Sequence, residues 1–185
     1  MSKELVLFFD CGDTLVDEST QIMNDNGDVI SARLFEGARE MLMHIYHDGY
    51  RMALVADGRV ASFRNIFREL GLEHLFEKWI ISEELGQEKP ARIMFETAME
   101  QMDLSVQDTE RIVMIGNNIK RDILGANQMG IRTILQSETP RYPMEVDTPE
   151  EMPDYIVASS RELITLLNEL ERQIQNKNRI TIKYK

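Results

Sequence analysis

A length of 185 residues bounds the chain to about one domain with room for a sizeable core. With 43% hydrophobic and 29% charged residues the composition is that of an ordinary soluble protein, and no apolar run approaches the length of a membrane span. The net charge of −11 argues against nucleic acid as a partner, and it means that an anionic substrate needs local help from a metal ion or a lysine.

Leu5 to Phe9 is an unbroken apolar run, as expected of a central strand buried on both faces. It leads into Asp10-Cys11-Gly12-Asp13-Thr14-Leu15, which sets a carboxylate at the C-terminal end of the strand. Ligands of open α/β sheets bind outside that end of the strands. Asp10 therefore stands where a nucleophile or a metal ligand would, although a plain strand-end turn through Gly12 fits the same residues. Cys11 is the only cysteine, which excludes internal disulfides and points to a reducing, cytoplasmic compartment. With a strand starting almost at the N-terminus, no signal peptide is expected.

Ile22-Met23 and Val29-Ile30 flank Asn24-Asp25-Asn26-Gly27, a hairpin signal that predicts a small flap beside the Asp10 turn. Ala38, Met41, Leu42 and Ile45 follow helical spacing up to Gly49. Met52 to Val55 predicts a strand ending at Ala56-Asp57-Gly58, and Phe63, Ile66, Phe67 and Leu70 a helix closed by Gly71. Trp79 to Ile81 is a short strand. Lys89-Pro90 precedes a helix with Phe95, Ala98, Met99 and Met102 on one face. Ile112 to Ile115 is a strand running into Gly116-Asn117-Asn118, Asp122 to Met129 a helix closed by Gly130, and Arg132 to Leu135 a strand.

Pro140, Pro143, Pro149 and Pro153, four of the five prolines, then make a stiff loop suited to form one rim of a site. Tyr155 to Val157 is a short strand. Ser159-x-x-Glu162 is a capping box ahead of a helix with Leu163, Leu166, Leu167, Leu170 and Ile174 facing inward. From Arg172 onward there are five basic residues and no acid. Arg179 to Lys185 alternates like an edge strand, either frayed or paired with a partner. Alternating strands and helices predict an α/β fold, a parallel Rossmann-like sheet covered by helices on both faces. It spans residues 1–175, followed by a basic tail at 176–185.

A parallel sheet brings Asp10, Asp57-Gly58, the loop up to Lys89, and Asn117 with Asp122 to one edge. Carboxylates and an amide oxygen suit Mg²⁺, and a lysine beside them neutralises phosphoryl charge. Asp10 as nucleophile with Mg²⁺ and Lys89 gives phosphoryl transfer through an aspartyl-phosphate.

The order and setting of these pieces resemble the haloacid dehalogenase superfamily from about Leu5 to Leu135. The family's Asp-x-Asp-Gly-Thr corresponds to Asp10-Cys11-Gly12-Asp13-Thr14. Its strand ending in Ser or Thr corresponds to Ala56-Asp57-Gly58, and its lysine, often Lys-Pro before a helix with Phe, to Lys89-Pro90 and Phe95. Its Gly-Asp, four residues, then Asp is similar to Gly116-Asn117 and Asp122. The resemblance implies Asp10 as nucleophile, Asp57, Gly58 and Lys89 at the phosphate, and Mg²⁺ held by Asp10, the Gly12 carbonyl, Asn117 and Asp122, the last directly or through water.

Three positions depart from the family. Gly12 replaces the aspartate that protonates the leaving group and later activates water, a role worth about 10²–10⁴ in rate. Its loss favours a leaving group that needs no proton, and Asp13, one residue on, is the candidate to stand in. Ala56 replaces a phosphate-binding hydroxyl, for which the N–H groups of Asp57 and Gly58 can partly compensate. Asn117 replaces a charged metal ligand with a neutral one. Neither of the family's cap insertion points has room for more than the hairpin, so no cap domain is expected.

The sequence thus implies an uncapped, Mg²⁺-dependent phosphohydrolase acting on a phosphorylated small molecule or on a large substrate suited to an open site. The tail and the uncovered site suggest a homo-oligomer. The competing class is a catalytically degenerate module on the same fold that binds a phospho-ligand or a protein. A dehalogenase is a third reading, disfavoured without a cap to enclose a small substrate. Cys11 lacks the following Arg of a tyrosine-phosphatase nucleophile, and His44 and His47 read as a solvated helix face.

Overall fold

The computed structural model describes residues 3–138 and 141–183. The first half of the chain forms β1 (Val6–Phe9), β2 (Val16–Met23), β3 (Val29–Leu34), α1 (Ala38–His47), β4 (Arg51–Ala56), α2 (Val60–Leu70), β5 (Lys78–Ile81) and α3 (Ser82–Leu85). The second half forms α4 (Arg92–Gln101), β6 (Ile112–Gly116), α5 (Leu124–Gln128), β7 (Arg132–Gln136), β8 (Tyr155–Val157) and α6 (Ser160–Lys183). Six strands make one parallel sheet in the order β5-β4-β1-β6-β7-β8. β1 lies between β4 and β6, where the winding reverses direction, and such switch points open a crevice at the carboxyl ends of the strands. Asp10, Asp57 and Asn117 follow the three strands that meet there.

The two faces of β1 feed two cores. Leu7 and Phe9 pack with Leu42, Phe67, Leu163 and Leu167 of α1, α2 and α6, while Val6 and Phe8 pack with Met94, Phe95 and Ala98 of α4 and Ala126 of α5. Helices therefore cover both faces, which is why β1, β4 and β6 are apolar at almost every position. Among the described residues no cap domain interrupts the fold. Between β1 and α1 there is only the antiparallel β2-β3 hairpin. Its strands are longer than the Ile22 and Val29 pattern predicts, and β2 starts at Val16. The hairpin rests on α2, where Ser62 Oγ accepts from Val29 N–H at 2.9 Å and Asn65 Nδ2 donates to the Val29 carbonyl at 3.0 Å.

The C-terminal helix differs from expectation at both ends. Ser159 Oγ accepts from Glu162 N–H at 3.2 Å, but the Glu162 carboxylate accepts from Ala158 N–H rather than from the cap residue itself, so the predicted box closes one residue early. At the other end, α6 runs on through Lys183, and the alternating pattern that suggested an edge strand is helical there. Once a helix is anchored by buried Leu163, Leu167, Leu170 and Ile174, each added residue gains a backbone bond at little cost. Tyr184, Lys185 and Pro140 lie outside the described residues. Among the described residues no helix is long and apolar enough to cross a membrane.

α6 also anchors the start of β1. Glu171 is buried, and its carboxylate accepts from Glu4 N–H at 2.9 Å and Leu5 N–H at 3.0 Å. Orphaned buried donors cost about 1–3 kcal/mol each. Glu171→Ala is expected to lower unfolding free energy by about 2–4 kcal/mol in urea denaturation, with Glu171→Gln losing less; a loss within error for the alanine variant would show that this anchor contributes nothing.

Candidate active site

The β1 ladder continues one step beyond the strand, with Asp10 N–H donating to the Ile115 carbonyl at 2.9 Å. The chain then turns sharply. Leu15 and Val16 N–H both return to the Cys11 carbonyl, and Asp13 takes a left-handed backbone with φ of 51°, a conformation that Asp tolerates better than most residues. This turn leaves Asp10 only 8% exposed at the floor of the cleft. Thr14 Oγ1 donates to Asp10 Oδ2 at 3.0 Å and Lys89 Nζ to Asp10 Oδ1 at 2.6 Å, so both carboxylate oxygens are oriented.

Lys89 is buried, and its ammonium meets Asp10 Oδ1, the Val55 carbonyl at 2.8 Å and Asp122 Oδ1 at 2.7 Å. Those are three acceptors for three N–H bonds. Burial works to lower the lysine pKa, but Asp10, Asp122 and Asp57 outweigh it and hold the group charged, above its ordinary value. Burial pushes the Asp122 carboxyl well above the usual range, against the pull of Lys89. The second Asp122 oxygen accepts from Asn118 N–H at 3.0 Å. Gly116 makes this packing feasible, since a Cβ there would lie 2.3 Å from Asp122 Oδ2. The predicted helix start at Asp122 is a π turn over Ile119–Ile123, in which the Asn118 side chain accepts from Lys120 N–H.

The remaining predicted residues separate. Asp57 lines the cleft, with Oδ1 accepting from Lys89 N–H at 2.9 Å and Oδ2 paired with Arg121 at 3.2 Å, so its charge is compensated. Gly58 does not line the cleft, and its N–H donates to Ser82 Oγ at 2.9 Å; the expected phosphate contact from Gly58 is taken by protein. Asn117 is buried at the cleft wall, and its Nδ2 has no partner among the described residues. Gly12 lines the cleft. Asp13 does not: its carboxylate is buried, paired with Arg141 Nε at 2.6 Å, and accepts from Glu18 N–H at 3.1 Å. Asp13 is a brace for the flap and is not placed to reach the cleft as an acid. The cleft holds about 80 Å³, room for a few waters or one phosphoryl group.

The profile of haloacid dehalogenase-like hydrolases matches residues 10–136. The chain belongs to that family. The glyceraldehyde 3-phosphate phosphatase of Methanopyrus kandleri is 30% identical over 132 residues, covering 71% of this chain and 55% of that protein. The enzyme of the same name from Methanothermobacter thermautotrophicus is 35% identical over 104 residues, covering 56% of this chain and 44% of its own length. The chain thus spans about half the length of these curated relatives. A Bacillus subtilis hydrolase of the haloacid dehalogenase class, solved bound to magnesium, superposes with a TM-score of 0.72 at 18% identity, covering 90% of this chain and all of that one.

Several residues of this haloacid dehalogenase-like cleft are invisible to its motifs. Glu18, Arg121 and Tyr142 line it alongside Asn118. Glu18 carries a usable signal, because it stands two residues after buried Val16 and a strand alternates with period two. Burial and the charge of Asp13 push its carboxyl up, while Arg141 pulls it down. Arg121 carries no periodic signal, since the π turn sets its direction. From the proline-rich loop, Tyr142 lines the cleft and Arg141 pairs with Asp13 and Glu18.

Removing the shared cation tests this electrostatic arrangement. Lys89→Met leaves buried carboxylates unpaired and is expected to cost about 3–5 kcal/mol of stability at pH 7. The raised Asp122 pKa means that the folded state binds its proton first, so this group's contribution falls as pH rises from about 4 through the folded value. The deficit of Lys89→Met should therefore shrink on acidification in denaturant titrations; a deficit that does not change with pH would contradict the pairing.

Proposed function

We propose that the protein is a phosphohydrolase for phosphorylated small molecules, in which Asp10 attacks phosphorus and forms an aspartyl-phosphate. One observation carries the reading. Asp10 presents a carboxylate oriented by Lys89 and Thr14 at the floor of a cavity of phosphoryl size, about 80 Å³. The sugar-phosphate phosphatases among the relatives support this substrate class, since a compact sugar phosphate can place its phosphoryl group in the cavity and leave its carbon chain in the open mouth.

The residues fit a hard divalent cation in part. Asp10 offers carboxylate oxygen on one wall; the Asn117 Nδ2 has no partner there among the described residues, and since an N–H donor cannot ligate a cation, Asn117 would hold the ion only with its amide turned so that the oxygen takes that place. Asp122 has both oxygens engaged by Lys89 and Asn118, so it joins through water. Asn117 is a neutral ligand, so this site would hold the ion more weakly than one with a carboxylate at position 117. Mg²⁺ bound there would neutralise charge on the phosphoryl oxygens. Lys89 pairs with Asp10 and orients it, Arg121 neutralises Asp57 so that its charge does not repel the phosphate, and the turn at Asp10 fixes the direction of attack.

Glyceraldehyde 3-phosphate, other sugar phosphates and 4-nitrophenyl phosphate should be hydrolysed by wild type with Mg²⁺ present, and Asp10→Asn should reduce every rate at least about 10³-fold, the scale on which a nucleophile acts. Retention of activity by Asp10→Asn contradicts the nucleophile, and an inert wild type favours the binding module. Asn117→Asp should tighten Mg²⁺ in calorimetry; the same weak heat in both forms would count against the metal set.

A further inference from the structure

Cleavage of an alkyl phosphate by Asp10 needs a proton for the leaving oxygen, and hydrolysis of the aspartyl-phosphate needs a base for water. Position 12 supplies neither. The space beside it is filled all the same. A Cβ built on Gly12 would lie 2.1 Å from Glu18 Oε1 and 2.8 Å from the Glu18 carboxyl carbon. An aspartate's own carboxylate oxygens stand two bonds from its Cβ, a reach of similar size. Glu18 thus brings a carboxylate oxygen from β2 into the volume that a side chain at position 12 would use.

Resting on the phosphohydrolase reading above, we propose that Glu18 is the general acid and base of the reaction, delivered by the flap in place of a residue at position 12. It lines the same cleft as Asp10. Its backbone N–H is held by Asp13 Oδ1 at 3.1 Å, its Oε2 by Arg141 at 3.2 Å, and Arg141 in turn by Asp13 Oδ2 at 2.6 Å. Asp13 and Arg141 are positioning residues that aim Oε1 at the turn. The Glu18 side chain remains 34% exposed, so solvent water reaches it.

In the first step an Asp10 oxygen bonds to phosphorus, the bond from phosphorus to the ester oxygen breaks, and that oxygen takes the proton of the Glu18 carboxyl. In the second, Glu18 carboxylate takes a proton from water, the water oxygen bonds to phosphorus, and Asp10 leaves as carboxylate. The sum is ester plus water to alcohol plus phosphate, with Glu18 reprotonated. In this geometry a side chain at position 12 and the Glu18 carboxylate compete for one space.

The test compares wild type, Glu18→Gln, Glu18→Ala, Gly12→Asp/Glu18→Ala and Asp10→Asn on glyceraldehyde 3-phosphate and 4-nitrophenyl phosphate. Glu18→Gln should slow the alkyl ester by about 10²-fold or more. With 4-nitrophenyl phosphate, whose leaving group needs no proton, it should still release one equivalent of nitrophenolate in a burst before stalling at the aspartyl-phosphate. The double variant should recover alkyl turnover that Glu18→Ala loses. Wild-type alkyl rates in Glu18→Gln overturn the assignment. A folded Glu18→Gln without the burst also overturns it, because Glu18 then merely supports the turn, as does failure of the double variant to exceed Glu18→Ala. These outcomes are read against an inactive Asp10→Asn. An active Asp10→Asn, or a wild type that turns over neither ester, overturns the parent reading and Glu18 with it.

Discussion

Everything at the sheet edge depends on one buried ammonium. Lys89 Nζ stands 2.6 Å from Asp10 and 2.7 Å from Asp122, and without it two carboxylates would share a low-dielectric site with no common counter-charge. That constraint sets the rest. The Asp57 carboxylate holds the lysine's backbone N–H, the Val55 carbonyl takes its remaining proton, and Gly116 gives Asp122 room to approach. The lysine is fixed at both ends, by its main chain and by its tip. A nucleophilic carboxylate needs such a counter-charge beside it to tolerate an incoming phosphoryl group.

Around this pair the chain replaces several polar groups usual in its family and rearranges others. The hydroxyl absent at Ala56 is not compensated by Gly58, whose N–H belongs to Ser82. Asp57 would repel a phosphate, and Arg121 answers that charge. Gly12 has lost a carboxylate, and Glu18 fills the space. These exchanges use side chains from the hairpin and from the turn after β6, which are segments outside the strand ends that carry Asp10 and Asp57. The proline-rich loop joins them through Arg141, which bridges Asp13 and Glu18.

Much of this was legible in the residues. An apolar run ending in Asp10, a second ending at Asp57, Lys89 before a helix and Asn117 with Asp122 after a third strand are position-coded, because a parallel sheet brings the ends of its strands to one edge whatever the intervening helices do. Side-chain direction was not legible. Asp13 stood beside the vacant position in sequence, yet its left-handed backbone at φ of 51° turns the carboxylate to the flap. Glu18 lies in a stretch of polar residues where a period of two from Val16 is a weak signal, and the hairpin that carries it is seated on α2. The strand-like alternation near the C-terminus was misleading because a short alternating stretch cannot compete with a helix already anchored in the core by Leu167 and Leu170.

The central claim is that Lys89-neutralised Asp10 becomes bonded to phosphorus. Rapid acid quench of wild type during turnover of a sugar phosphate, followed by proteolysis and mass spectrometry, tests it directly. The account predicts a phosphoryl group on the peptide containing Asp10 and on that residue alone. Turnover with Asp10 unmodified at every quench time, and with substrate oxygen replaced by direct attack of water, would contradict it.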